Sequence, residues 1–422
     1  MKTKISVLGP GFITRLSIYF REDEPITDVL ISDLATHSLK SFVKTLPDTV
    51  PVSTLTDTYH FKQTEHDTNF KSPKIERRVR LYFRLNDLEV EEFLRSKKGI
   101  EFTFIGTSAN ILAKQQQIAD FIYLLTKDKK IIIADLIADA FYSPGTWKVG
   151  RVAAFPDNTI NCSSLVTIRT TREDGFCRAV TRGMSSFGLP EISVKNFPCS
   201  NRDNFEGLVS AVAQTLIENP FIDQNSRLLI ELKKIKNKNM RHQYLQGNAD
   251  NALLTTSVKL KAVQPQEGDN HWHQLFIAFE NPDYASPQEE AHQLVADLFG
   301  FEETHMKTEH DEELLKASEN AKKRLPELRT LFNKGLEPGY SITVKAPFKT
   351  PDEDNEWMWV EVTQWTDERI EGVLLNDPFG IPDLKVGAIV VISQLEVFDY
   401  MLNKPNGTTE GNETEKILKS RQ

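Results

Sequence analysis

Apolar and polar residues alternate along two stretches near the carboxyl end of the chain, residues 340–348 and residues 357–366. In the second stretch Met358, Val360 and Val362 fall on one face, because the side chains of a strand point alternately to its two sides. A period of two predicts β-strands. Shorter apolar runs separated by turn residues follow, so this region predicts a small, strongly bent antiparallel sheet that forms a partial barrel.

A helical pattern precedes this sheet. Apolar residues recur at helical spacing over residues 311–334, and we expect the helix to lie across the sheet. Pro326 removes one backbone donor, which predicts a kink or a restart. Helix and sheet define a third unit over residues 303–404. The polar, unpatterned residues 405–422 are predicted to be a disordered tail.

Residues 1–155 mix strand-like and helical patterns and are predicted to form a first, α/β-type unit. Strand-like residues 100–106 and 131–135 flank a helical stretch. We expect these two strands to lie in one sheet, because a helix commonly connects strands of the same sheet.

A second unit is predicted over residues 156–302. The pair Asp174 and Gly175 suits a two-residue hairpin turn, which needs positive φ angles. Ser286 followed by Pro287 is typical of a helix start. The predicted fold class is therefore α+β, with two α/β-type units followed by a helix and a small bent sheet.

Composition narrows the classes of partner. The chain has 422 residues, of which 26% are charged and 39% hydrophobic, and a formal net charge of -9. Proteins that neutralise nucleic-acid phosphates usually carry a basic face, so we expect no nucleic-acid partner. The one basic run, residues 233–241, is interpreted as a solvated loop or hairpin tip.

The sequence predicts a cytoplasmic protein without a membrane partner. No apolar run approaches the ~20 residues of a membrane helix, and the first ten residues lack the apolar core of a signal peptide. Cys162, Cys177 and Cys199 are odd in number and form no C-x-x-C motif, which argues against a disulfide framework. Cys177 is interpreted as a small core residue. The sequence does not indicate the oligomeric state.

Familiar catalytic signatures are missing from the sequence. The Gly9-Pro10-Gly11 turn lacks the third glycine of a dinucleotide fingerprint and is followed by strand-like residues. G-x-S-x-G and Walker A motifs are absent. We predict no cofactor. His271 and His273 share a strand face and are weak candidates for metal ligands, although a polar pair on the solvent face of an edge strand is commoner, so no metal is predicted.

The carboxyl-terminal stretch resembles a family through a series of short motifs. In chain order they are Glu356-x-Met358-Trp359-Val360, Ile370-x-Gly372, Asn376-x-Pro378, Gly387, and Asp399-Tyr400-Met401. Together they resemble the YegJ-type domain of unknown function found in bacteria. Tyr400 stands where that family usually has tryptophan, and Ala388 replaces a frequent acidic residue. The resemblance implies no catalytic residues. A weaker one, to proteins that carry such domains, rests on Ala134-Asp135, Phe141-Tyr142-Ser143 and Trp147.

A set of aromatic residues forms the predicted binding site. Trp357 and Trp359 share the strand face opposite the predicted core, and further aromatic residues are expected nearby. Either the preceding helix covers these tryptophans, or they line a groove for a peptide or another protein. The site is predicted to comprise Trp357, Trp359, Trp365, Tyr400 and Asn376.

These observations favour a non-enzymatic, immunity-type or regulatory bacterial protein that binds a protein or peptide. The alternative is a hydrolase that uses carboxylates or the histidine pair. If the chain is such an enzyme, we expect a deep pocket between the units that is lined by ionisable groups.

Overall fold

The computed structural model describes residues 4–21, 26–46, 56–65, 85–246, 248–269, 273–300, 311–337 and 339–421. The fold is α+β, as predicted. The described residues form three six-stranded sheets and one two-stranded sheet, and none of these sheets closes into a barrel. Each six-stranded sheet has its own buried apolar cluster.

The first sheet is largely antiparallel, in the order β3-β4-β5-β2-β6-β7. Its core contains Phe102, Phe104, Phe121 and Trp147. The two strands predicted to share a sheet, β5 and β6, do so, on either side of β2. Elements of this part of the chain are β1 (Lys4–Ser6), β2 (Gly11–Phe20), α1 (Asp28–Ser38), β3 (Val43–Lys44), β4 (Thr58–Glu65), α2 (Asp87–Arg95), β5 (Lys98–Thr107), α3 (Ile111–Thr126), β6 (Ile132–Asp135), β7 (Ala140–Tyr142) and α4 (Pro144–Gly150).

The second sheet has the order β12-β13-β14-β10-β9-β8, and only its β10–β14 pair is parallel. Asp174 and Gly175 connect β8 to β9 with φ angles of 48° and 84°, which confirms the two-residue turn. Ser286 caps α8 as predicted. The elements are α5 (Cys162–Leu165), β8 (Thr167–Glu173), β9 (Phe176–Arg182), β10 (Glu191–Phe197), α6 (Arg202–Glu218), β11 (Phe221–Asp223), β12 (Arg227–Glu231), α7 (Lys238–Leu245), β13 (Thr255–Val263), β14 (Gln274–Ala278) and α8 (Pro287–Phe299).

The third sheet is antiparallel throughout, in the order β18-β17-β16-β15-β19-β20. Helix α9 lies across it, so that Leu325 and Leu328 join Val344 and Val360 in one core. This confirms the predicted helix-on-sheet arrangement, and α9 continues through Pro326 without a restart. The elements are α9 (Glu312–Asn333), β15 (Ser341–Lys349), β16 (Asn355–Trp365), β17 (Arg369–Leu374), β18 (Ile389–Ser393), β19 (Asp399–Asn403), β20 (Thr409–Gly411) and α10 (Glu413–Ser420).

The prediction of a disordered tail over residues 405–422 is wrong for its described part. Strand β20 pairs with β19 at the edge of the third sheet. The buried carboxylate of Asp399 accepts hydrogen bonds from the backbone N–H (2.8 Å) and the hydroxyl (2.6 Å) of Thr414. Arg421 forms ion pairs with Asp311 and Glu313. These contacts fix the segment against the third sheet and the start of α9.

The expectation of no disulfide is also wrong. Cys177 in β9 lies opposite Phe197 in β10, and the turn after β10 brings Cys199 to a Cα–Cα distance of 5.1 Å from Cys177. The two residues form a disulfide, whereas Cys162 is a buried free thiol. Two cysteines separated by 22 residues meet here because adjacent antiparallel strands bring them together.

Candidate functional site

The two faces of the third sheet have different neighbours. Met358, Val360 and Val362 belong to the buried cluster under α9. Trp357 and Trp359 alternate with them and therefore point to the other face, where both are half-buried. The helix does not cover these two tryptophans, so the covering-helix alternative is wrong for them.

Close contacts hold both tryptophans in place. The Trp357 ring lies 4.6 Å from the Phe398 ring, centroid to centroid. The ammonium of Lys345 lies 5.5 Å from the centre of the Trp359 ring, a cation–π contact. Burial lowers the pKa of Lys345, while the nearby carboxylates of Glu415 and Asp399 act in the opposite direction. A partly desolvated cation therefore lies against the Trp359 ring.

Trp365 and Tyr400 lie on the opposite face from this pair. A β-bulge between Val362 and Gln364 adds one residue to β16, so the residues after it change face. Trp365 consequently joins the core under α9, where its indole N–H donates to Gln394 Oε1 at 2.8 Å. Tyr400 is directly opposite the core residue Val344 and packs in the same cluster. The structure therefore separates the predicted aromatic set into two groups.

Asn376 and Glu356 attach the loop after β17 to strand β16. Asn376 Oδ1 accepts the backbone N–H of Trp359 at 2.7 Å. The carboxylate of Glu356 accepts the N–H groups of Phe379 and Gly380 at 2.7 and 3.0 Å. Asn376 thus binds the backbone of β16, and Glu356 binds the backbone of the loop just after Pro378, so both side chains fix this loop.

The tryptophan face continues into a contact with the second sheet. Glu361 in β16 is fully buried, and its two carboxylate oxygens accept the N–H groups of Cys199 (2.7 Å) and Ser200 (2.8 Å). Burial raises the pKa of Glu361, and these hydrogen bonds and the Arg172 guanidinium 3.9 Å away oppose that effect. Part of the predicted groove is therefore an interface within the chain.

Strand β18 is an exposed edge that the sequence patterns did not reveal. Ile389 and Val391 are each 46% exposed, and Leu395 just beyond the strand is 76% exposed. In an antiparallel pair, alternate residues exchange both backbone hydrogen bonds with the neighbouring strand. The N–H of Leu374 donates to the carbonyl of Ala388. Even-numbered residues of β18 therefore bond to β17, and the N–H and C=O groups of Ile389 and Val391 point away from the sheet.

Most other edge strands in the described part of the chain carry charge. Strand β12 presents Leu229, which is 57% exposed, between Arg227 and Glu231. Charged residues on an edge discourage the addition of a further strand. Strand β18 (IVVIS) has no charged residue over five positions, and the other uncharged edge, β7, has three residues. A run of apolar residues predicts a buried strand, which is why this edge was not anticipated.

The histidine pair gains no support as a metal site. His271 lies outside the described residues, and His273 is exposed. Within the described ranges no group of three His, Cys, Asp or Glu side chains is arranged to hold a metal ion.

A cleft in the described part of the chain lies between the first and second sheets. It has a volume of about 380 Å³, and its polar lining consists of Ser108, Asn110 and Asn158. None of the described residues that line it is ionisable. This cleft therefore gives no support to the hydrolase alternative, which stays a prediction.

Three residues of the weaker resemblance, Asp135, Tyr142 and Trp147, meet around the side chain of Arg151. The Asp135 carboxylate pairs with the Arg151 guanidinium at 2.8 Å, and both side chains are almost fully buried. Arg151 also donates to the Tyr142 hydroxyl and lies over the Trp147 ring. Each of these buried charges is paired, which offsets the free energy that its removal from water costs. We therefore interpret the cluster as structural.

Comparison with known proteins finds a match for one part of the chain. The model of a family described as "Uncharacterized protein conserved in bacteria (DUF2314)" matches residues 311–421. The match begins at the cap of α9 and ends beyond α10, so it includes the predicted tail as far as residue 421. No curated protein and no solved structure matches the chain. Among the helices described, none has the length and apolar character needed to cross a membrane.

Proposed function

We propose that the chain is a non-enzymatic binding protein that takes up an extended segment of another protein at the edge of β18. The observation that carries this proposal is the outward-facing backbone of Ile389 and Val391, flanked by their exposed side chains. An edge of this kind can pair with a further strand. The proposed partner segment is extended and has an apolar residue at every second position, to match the two exposed side chains of β18.

Several narrower expectations belong to the same proposal. They are a cytoplasmic location, a regulatory or immunity-type role, and membership of residues 303–404 in the YegJ-type family. The acidic chain supports a protein partner over a nucleic acid. The tryptophan pair lies two strands away from β18, and its binding role stays a separate prediction.

Selection from a random peptide library on the immobilised full-length chain tests this proposal. Selected peptides are synthesised, and their affinity is measured by fluorescence anisotropy for the wild type and for Val391→Pro. Proline removes only the outward donor at this position, which edge strands tolerate. We expect the variant to bind about tenfold more weakly, as the loss of one hydrogen bond and of close approach predicts.

Leu229→Pro in the edge strand β12 is the matched control, since Leu229 is also an exposed apolar residue with an outward-facing backbone. Its affinity for the selected peptides should equal that of the wild type. Equal binding by Val391→Pro would contradict the proposal. Self-association of the wild type that Val391→Pro abolishes would assign the edge to a second copy instead.

A further inference from the structure

The Cys177–Cys199 disulfide lies beside the hydrogen bonds that join the second and third sheets. Cys199 begins the short turn, residues 199–201, whose first two N–H groups bind Glu361. Cys177 is in direct register with Arg172 on the neighbouring strand. Arg172 donates to the carbonyl of Tyr340 at 2.8 Å, just before β15. Cys199 therefore contacts the third sheet directly, and Cys177 pairs with Arg172, which contacts the residue just before that sheet.

The disulfide also restrains the turn at residues 199–201, which carries the two N–H groups that bind Glu361. The chain after β10 passes from Phe197 through Pro198 to the turn, and the disulfide ties this turn to β9. The carboxylate of Glu361 is fully buried, so it depends on donors held in fixed positions. If the turn moved, a charged group inside the interface would lose its hydrogen bonds.

We propose that the Cys177–Cys199 disulfide is a reversible redox switch that controls how firmly the third sheet is held against the second. When the disulfide is formed, it fixes the turn at residues 199–201, whose N–H groups bind Glu361, and the interface between the two sheets stays closed. Reduction releases the turn from β9 and loosens the contact around Glu361. In a reducing compartment, disulfides are characteristically transient and redox-sensing, which agrees with a switch at this position.

The reduction needs a two-electron donor, for which a dithiol of the thioredoxin class suffices. One donor thiolate attacks the sulfur of Cys199, which is half-buried, whereas Cys177 is buried. The S–S bond breaks, Cys177 leaves as a thiolate and takes up a proton, and a mixed disulfide forms. The second donor thiol then attacks the donor sulfur of the mixed disulfide. Cys199 is released as a thiol and the donor becomes a disulfide.

Hydrogen exchange of the full chain, with and without dithiothreitol, tests this proposal. We expect reduction to speed amide exchange in the turn at residues 199–201 and in the segment of β16 around Glu361. The expected change is about tenfold, as for the loss of one hydrogen bond to a charged group. Glu361→Gln should raise exchange in the same segment of β16 while the disulfide stays oxidised.

Cys199→Ser should show the exchange pattern of the reduced wild type and should not respond to dithiothreitol. Cys162→Ala, which removes the free thiol, should respond as the wild type does. The proposal is overturned if reduction speeds exchange within β9 and β10 but leaves β16 unchanged. It is equally overturned if air-oxidised wild type shows two free thiols at residues 177 and 199. Both results come from the wild type, so they hold even where a variant does not fold.

Discussion

Glu191 makes the stability of the chain depend on pH in a direction opposite to that of a salt-bridged carboxylate. Its carboxylate is buried at the start of β10, where it accepts hydrogen bonds from the Thr181 hydroxyl (2.7 Å) and the Gly183 N–H (3.0 Å). Burial raises the pKa of Glu191 from 4.5 to about 7, although these hydrogen bonds favour the charged form.

The sign and size of the effect follow from the two pKa values. Between pH 4.5 and pH 7 the folded chain keeps a proton that the unfolded chain releases, so the free energy of unfolding falls as the pH rises. This stabilisation is complete below pH 4.5 and is lost once the pH passes about 7. A difference of this size corresponds to about 3 kcal/mol.

Urea unfolding of the wild type and of Glu191→Gln, at several pH values between 4.5 and 8, measures the contribution of Glu191 to the free energy of unfolding. Glutamine does not titrate, so the wild type should lose about 3 kcal/mol more than the variant over this range. Glu173→Gln, at an exposed position in β8, is the control and should follow the wild type. Parallel pH profiles for the wild type and Glu191→Gln would show that Glu191 does not retain its proton in the folded chain between pH 4.5 and pH 7.

Two further substitutions test the third sheet. Gly372→Ala should lower stability by about 1–3 kcal/mol in thermal unfolding, because an added Cβ would overlap the Glu361 carbonyl oxygen at the bulge; an unchanged midpoint would show that the bulge can relax. Glu356→Ala should speed amide exchange at Phe379 and Gly380, which lose their acceptor, whereas Glu353→Ala should not; equal exchange in all three proteins would contradict the anchoring role.

Sequence periodicity predicted the third sheet well because one face of each central strand is buried. Met358, Val360 and Val362 alternate with polar or aromatic neighbours, and that alternation is sufficient to predict a strand. The alternation does not predict the face of Trp365, because a one-residue bulge in β16 reverses the faces of the residues after it. Trp357 and Trp359 therefore share a face as predicted, whereas Trp365 and Tyr400, which were expected near them, lie on the other face.

The other errors concern contacts between residues that are distant in sequence. Asp399 binds Thr414, and Cys177 meets Cys199, only because of how the strands pair. A sequence pattern records the neighbours of a residue along its own element, not across elements. The exposed edge at β18 was missed for the same reason, because its apolar residues resemble those of a buried strand until the sheet order is known.

Amide hydrogen exchange at β18, measured with and without a selected peptide, tests the proposed strand addition most directly. We expect the amides of Ile389 and Val391 to exchange rapidly in the free chain and to slow markedly when the peptide is bound. The amides of Val390 and Ile392 should be protected in both states, since they bond to β17. Peptide binding that leaves the amides of Ile389 and Val391 in rapid exchange would show that the peptide does not pair with β18.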